Sequence, residues 1–438
     1  MGDLNQTNAS HTVNTPVKRG SMPDGLQTTT RTTETTATSQ PAAKVIAHAP
    51  WPDTVSDRAR ALLTLPLLAE ALSHNGMQSR TVDVAVVGAG VTGLSAAYAA
   101  AAAGAQTLLL EAAPTLGAGA SGRNAGILSA GANAPLAELD PADPVAALWP
   151  ATTEILLELV AEAQKPDAIV RAQRTGALDL ATSATAARRL EGEARVRRAA
   201  GLQAEMWTVV QVAERTGGRL NTDGVVAALW LPDEGRIQPL TMLAHLAQQA
   251  RTVGATLVGG AAVTSCGETV TKRHGGAWTL TLRDGATITA RGLVWCIGPT
   301  VHPTSRLYAL AFLAELPDDF PVFWDAAPYV YYDYRAGDGR LVVSGGRYGQ
   351  PGAPSRDAAY HARMARAAWR WLPELADSAP HYAWAVDLDT AADRLPAFVP
   401  MEGAAPGLAI EGLGAQGVLP GIALGRQAGA EIAARVLK

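Results

Sequence analysis

Residues 82–111 read VDVAVVGAGVTGLSAAYAAAAAGAQTLLLE, and the interpretation of this stretch decides the fold. No charged residue occurs from Val84 to Leu110, a length sufficient to cross a bilayer. The run nonetheless resolves into three pieces. VDVAVVG is β-branched and strand-like, GLSAAYAAAAAG consists of helix formers, and TLLLE is a second apolar strand closed by an acid. Strands of a parallel sheet are buried on both faces, which makes them apolar throughout. Strand, turn, helix and strand therefore account for the segment without a transmembrane helix.

The turn is Gly88-Ala-Gly90-Val-Thr-Gly93. At a strand-to-helix junction Gly88 permits the tight turn, Gly90 lets a pyrophosphate approach the backbone, and Gly93 lets helix and strand pack closely. The helix N-terminus attracts the anion. Glu111 ends the second strand at the spacing expected of an acid that accepts hydrogen bonds from a ribose. A lone GxGxxG is weak evidence. With the strand before it, the helix after it and the acid in register, it indicates dinucleotide binding.

A second glycine loop, GAGASGRNAGIL, follows at Gly117–Leu128. A simple NAD domain has no need of it, whereas a longer flavin dinucleotide needs contacts beyond its adenosine half. Arg123 supplies charge and a fork of donors suited to pyrophosphate, Ser121 and Asn124 offer neutral hydrogen bonds, and the glycines let the backbone come close. An ordinary surface loop with an exposed arginine is the competing reading.

The 438 residues can bury a substantial core and suggest two or three structural units. A formal net charge of -4 favours neither nucleic acid nor an anionic membrane as partner. Two cysteines, Cys266 and Cys296, are too few for a disulfide framework and fit a reducing, cytoplasmic compartment. The eight histidines lack paired ligand spacing, so no metal site is expected. Residues 1–50 are rich in Thr, Ser, Asn and Gln and read as a disordered tail without the features of a secretory signal. Residues 51–80 turn apolar and read as a helical lead-in interrupted at Pro66.

The stretches VDVAVVGAGVTGLSAA, GASGRNAG and GLGAQGV together resemble the FAD-dependent amine and amino-acid oxidase family that includes D-amino-acid oxidase, glycine oxidase and sarcosine oxidase. GASGRN is most similar to the γ-glutamylputrescine oxidoreductase branch. The resemblance runs from about Thr81 to the end. It implies non-covalent FAD in a Rossmann-like α/β domain, assembled from residues 81–145, 225–300 and 390–438. An inserted antiparallel-sheet (α+β) substrate domain, residues 146–224 and 301–389, would cover the flavin ring. The implied reaction removes hydride from a C–H next to nitrogen of a small amino acid or amine, giving an imine that water hydrolyses. Electrons would pass to oxygen or another acceptor. A dehydrogenase or tailoring enzyme acting on a 2-hydroxy acid or larger metabolite is the alternative, and oligomeric state is not indicated.

Further segments fit the resemblance. GRIQPLTMLAHLAQQARTVGATLV reads as a turn, a helix from about Pro239 and a strand, and the AAV run ending at Val263 resembles the segment whose backbone meets the adenine. AWTLTLRDGATITA carries the DG turn of a hairpin. LVWCIG resembles the apolar strand that ends, here at Gly298, near the flavin, with Cys296 as a buried small hydrophobe where a small residue is usual. Gly412, Gly414, Gln416, Gly417 and Val418 form a loop and helix start that would face the flavin ring and stabilise negative charge. The branch usually has histidine where Gln416 stands and glycine where Ala125 stands.

On the substrate side, APYVYYDYRAGDGRLVVSGG reads as strand, turn and strand. Period-two geometry places Tyr329, Tyr331, Asp333 and Arg335 on one face, an unusually polar one. The resemblance makes Arg335 the substrate carboxylate clamp, with Tyr329 and Tyr331 beside it as candidate catalytic residues. A solvated hairpin arginine is the competing reading, and Arg347 and Tyr348 are weaker alternatives.

Overall fold

A computed structural model describes residues 45–74, 81–271, 275–298, 303–325, 332–390 and 395–438. Most of the polar tail, with Tyr329 and Tyr331, lies outside the described residues.

The opening segment folds as its pattern dictates: strand Thr81–Val87, helix Val91–Ala102 and strand Thr107–Leu110, the two strands pairing in parallel. They sit inside an eight-stranded sheet ordered Val263–Thr271, Gly275–Leu282, Thr287–Trp295, Thr81–Val87, Thr107–Leu110, Thr256–Val258. Gly407–Glu411 adds in parallel along the far half of Thr287–Trp295 and carries Ala397–Pro400 on its other side. The DG hairpin forms as expected, with Gly285 left-handed at φ 85°. Helix Val91–Ala102 lacks a polar stripe because it is covered on two sides, by helices Pro239–Thr252 and Val418–Val436. The second of these approaches backbone to backbone. A Cβ at Gly425 would stand 2.3 Å from the Thr92 carbonyl oxygen, and one at Gly429 2.1 Å from that of Ala96. Only glycine permits that separation.

The second eight-stranded sheet runs Tyr382–Leu388, Ser305–Leu313, Arg340–Gly349, Tyr332–Gly337, Val322–Asp325, Ala177–Ala181, Ala227–Leu231, Glu205–Trp207. Its neighbours are antiparallel except Val322–Asp325 against Ala177–Ala181. One face carries the in-register row Leu178, Phe323, Tyr334, Val343 and Leu310, which packs with Met364, Ala368 and Trp371 of helix Asp357–Trp371. The other face turns toward the first sheet. Residues 225–300 were expected wholly with the dinucleotide domain, but Ala227–Leu231 pairs along Ala177–Ala181 in the second sheet. Its AALWL run is equally apolar in either location, so composition does not discriminate between the two.

The lead-in contains helices Asp57–Leu63, capped by the Ser56 hydroxyl, and Leu68–His74, with Pro66 between them. It is stitched to the loops that follow two strands of the first sheet: Leu116 N–H donates to Leu63 O and Leu65 N–H to Pro114 O after the one, and Gly259 N–H donates to Pro66 O after the other. Order begins earlier than the composition suggested. Ile46 pairs with the edge strand at Tyr382, exchanging hydrogen bonds with His381 and Ala383, so residues 45–50 are a structured part of the tail. Helix residues 144–163 are long and apolar enough to cross a membrane, yet Leu148, Ile155, Leu156 and Leu159 are buried in the protein core.

Candidate functional site

A cavity of about 990 Å³ is lined by the ends of the first sheet's strands and one face of the second sheet. Three glycine loops form its first wall.

In the first loop, Gly88 is left-handed at φ 98°, and a Cβ there would stand 2.5 Å from the Cys296 carbonyl oxygen. Gly90 caps helix Val91–Ala102, so the helix N-terminus opens onto the cavity. Gly93 does not line the cavity. A Cβ on it would sit 1.8 Å from Gly88 O, so it sets how closely the helix approaches the loop. Glu111 holds the loop from below, its two carboxylate oxygens accepting from Ala89 N–H at 2.8 Å and Ala113 N–H at 2.9 Å. Each oxygen keeps a further lone pair.

In the second loop, the Ser121 hydroxyl accepts from Val91 N–H at 3.1 Å, which leaves its own hydrogen to donate. Asn124 turns inward. Its Nδ2 donates to Ser121 O at 2.7 Å and its Oδ1 accepts from Gly126 N–H at 2.9 Å, so the amide braces the loop more than it reaches outward. Two tryptophans pin the loop from outside: Trp51 Nε1 donates to Asn124 O at 2.9 Å and Trp384 Nε1 to Arg123 O at 2.8 Å. The Arg123 side chain lines the cavity, where burial lowers its pKa and Asp387 opposes the shift.

In the third loop, Gly412 and Gly414 are left-handed, at φ 73° and 56°. Asn133 clamps this loop, donating to Leu413 O at 3.0 Å and accepting from Gln416 N–H at 2.8 Å. Gly417 then starts helix Val418–Val436 with no side-chain cap, so a second helix N-terminus faces the same space. Val263 and Gly298 also line the cavity. Cys296 is buried and its thiol is pushed up to about 12, consistent with a small hydrophobe.

The model of the family described as FAD dependent oxidoreductase, DAO, matches residues 83–430. The chain belongs to the DAO family of FAD-dependent oxidoreductases. No curated protein sequence matches it significantly. Among solved structures, glycine oxidase from Geobacillus kaustophilus is similar at a TM-score of 0.66 and 20% identity, over 82% of this chain and 95% of that one. Iminodiacetate oxidase from Chelativorans sp. BNC1 is similar at 0.61 and 22%, over 81% and 95%. The FAD-bound L-alpha-glycerophosphate oxidase from Mycoplasma pneumoniae is similar at 0.59 and 16%, over 82% and 94%. At these identities the likeness is one of fold.

The residues present fit FAD. Two helix N-termini with glycine at the N-cap suit a pyrophosphate and an electron-rich ring. Glu111 suits ribose hydroxyls, and the missing Cβ at Gly90, beside the Ser121 side chain, leaves room for close approach of the cofactor.

The opposite wall of this DAO-family cavity is a single cross-strand row. Trp384, Ala309, Ser344, Asp333, Trp324, Asp179 and Leu229 lie in register on successive strands, and all line the cavity. Burial pushes the Asp333 carboxyl up to about 7; the Ser344 hydroxyl at 3.3 Å offsets this, while Asp325 and Asp179 add to it. Burial also pushes Asp179 up to about 7, against the Trp324 indole and the Arg189 and Arg197 charges.

Arg335, expected to clamp a carboxylate here, is directed away from the cavity and does not line it. Its guanidinium is fully buried, donating to Asp338 Oδ2 at 2.8 Å, Gly337 O at 3.2 Å and Ile237 O at 3.4 Å, and lies 5.1 Å from the Trp51 ring centre. The reason is the turn. Asp338 and Gly339 are both left-handed, which makes a tight two-residue hairpin and folds Asp338 back onto Arg335. Period two does not separate Asp333 from Arg335; local pairing does. Tyr348 lines the cavity, and the Arg347 side chain lies outside the description.

An unfolded aspartate loses its proton near about 3.9, whereas Asp333 does so at about 7. The unfolded state then holds fewer protons across that window, so stability falls as pH rises from about 4 to about 7 and is level above it. Asp333→Asn is expected to raise stability at about pH 8 by on the order of 4 kcal/mol and to add little at about pH 4. Thermal melts of both proteins at the two pH values check this.

Proposed function

We propose that the protein oxidises the C–H bond next to nitrogen of an amine or amino acid, with oxygen or another acceptor taking the electrons. The observation that carries this reading is the acidic wall. Among the described residues, the charges that bear on Asp333 are carboxylates, and the arginine expected to fix a substrate carboxylate is committed elsewhere. Such a wall attracts an ammonium and repels a 2-hydroxy acid or a phosphate ester.

Bound FAD would supply the hydride acceptor, leaving an imine that water hydrolyses to a carbonyl and a released nitrogen. The chain's own part is to hold and orient. The first helix end, the Ser121 hydroxyl and Arg123 would hold the pyrophosphate, Glu111 the ribose, Val263 the adenine side and the Gly412–Val418 loop the ring. Asp333 would take the proton that an incoming ammonium must lose before its α-hydrogen can leave as hydride. The names glycine oxidase and iminodiacetate oxidase among the similar structures agree with nitrogen chemistry.

The alternative, a 2-hydroxy acid or larger metabolite as substrate, is supported by the likeness to glycerophosphate oxidase. An anaerobic screen separates the two. Amines or amino acids are expected to bleach the flavin absorbance; bleaching by hydroxy acids alone would overturn the proposal.

A further inference from the structure

We infer that Asp179, at the far end of the Asp333–Trp324–Asp179 row, is a subsite for a second, unreacting ammonium, so that the preferred substrate is a basic diamine. The inference rests on the reading of the cavity as an amine-oxidising site. Asp333 and Asp179 pair with Trp324 from opposite sides, which puts all three side chains on one face of the sheet. Two strand spacings separate the carboxylates, roughly 10 Å.

Position along the row orders them. Trp384, whose indole holds the Arg123 carbonyl of the cofactor loop, starts the row; Asp333 lies three strands on and Asp179 five. The reacting nitrogen belongs at Asp333 and the distal one at Asp179.

Each carboxylate lacks a saturating partner in the protein. Asp179 Oδ1 is buried without a hydrogen-bond partner. Nearby Arg197 is committed to Glu193 at 2.7 Å and to Glu234 at 3.0 Å, and Arg189 has interactions of its own. These arginines attenuate Asp179 without satisfying Oδ1. Asp333 has the Ser344 hydroxyl, and the charges acting on it are acidic.

A buried, unsatisfied carboxylate is costly, and a ligand cation relieves the cost. The occupant is an organic cation and not a metal ion: among the described residues no group of three His, Cys, Asp or Glu could hold a metal. The Trp324 indole lies between the acids on the same face of the sheet and lines the cavity with them.

The test uses the full-length holoenzyme under anaerobic conditions. It compares α,ω-diaminoalkanes of increasing length with the n-alkylamines of matching length, following flavin spectral change and reduction. Diamines of one favoured length are expected to act at concentrations about tenfold or more below their monoamines. In Asp179→Asn, checked for flavin content and melting temperature, that ratio is expected to fall toward unity, whereas Asp333→Asn is expected to weaken diamines and monoamines alike and to keep the ratio. Equal potency of diamines and monoamines in the wild type, or a diamine advantage that survives Asp179→Asn, overturns the subsite and leaves amine oxidation standing. A flavin reduced by no amine and no amino acid overturns the functional reading itself and the subsite with it.

Discussion

Gly93→Ala is expected to yield a protein that is purified without FAD and melts well below the wild type. Alanine is the better helix former, so the helix by itself would gain. The cost is in packing: the new Cβ would stand 1.8 Å from Gly88 O and 3.0 Å from Gly88 C, both backbone atoms. Relief requires moving either the helix or the glycine loop. Neither moves easily, because Gly88 N–H is bonded to Leu110 O at 2.8 Å and the helix is wedged between two others. A loss of about 2 kcal/mol or more in stability follows from overpacking of this kind. Gly90→Ala provides the contrast. Its Cβ would meet the Ser121 hydroxyl at 2.9 Å, a side chain that can rotate away. That variant is expected to keep its melting temperature and lose flavin affinity, which separates the two glycines by flavin content and thermal melts.

Trp51→Ala is the second large effect expected. Trp51 is fully buried although it lies outside the matched family region. Its indole donates to Asn124 O, its carbonyl accepts from Gln238 Nε2 at 2.9 Å, and its ring supports the Arg335 guanidinium. Removing it deletes a large core side chain, about 3–5 kcal/mol, and unpins the loop that presents Arg123. FAD affinity is expected to fall about tenfold or more, with Trp51→Phe intermediate because the packing survives and the hydrogen bond does not. Flavin titration of the apoprotein measures both. Unchanged affinity in Trp51→Ala would mean that the loop holds its shape without the lead-in.

The dinucleotide wall was legible in the sequence because its chemistry is local. Gly88, Gly90, Glu111 and the SGRN loop take their meaning from positions within one βαβ unit, and thirteen of the fourteen expected residues line the cavity, with Gly93 packed behind it. Asn124 was misjudged in part: the short loop lets its amide reach the loop's own backbone first. Asn133 carries no local signal because its partners, Leu413 and Gln416, lie 280 and 283 residues away.

The substrate wall was less legible for the same reason. Asp179 is a lone acid in ALDLA, and nothing local says that it shares a row with Asp333 from a distant strand. An acid alternating with leucines was the one available signal. Arg335 looked like the clamp because the clamp is a matter of direction, and direction is set by the Asp338 turn and by Trp51, neither of which the strand period encodes.

The most direct test of nitrogen chemistry is the product balance of one anaerobic turnover with a substrate that bleaches the flavin. Release of ammonia or an amine is expected, together with a carbonyl compound, in amounts equal to the FAD reduced. Flavin reduction with an equivalent of carbonyl product and no released nitrogen would contradict it.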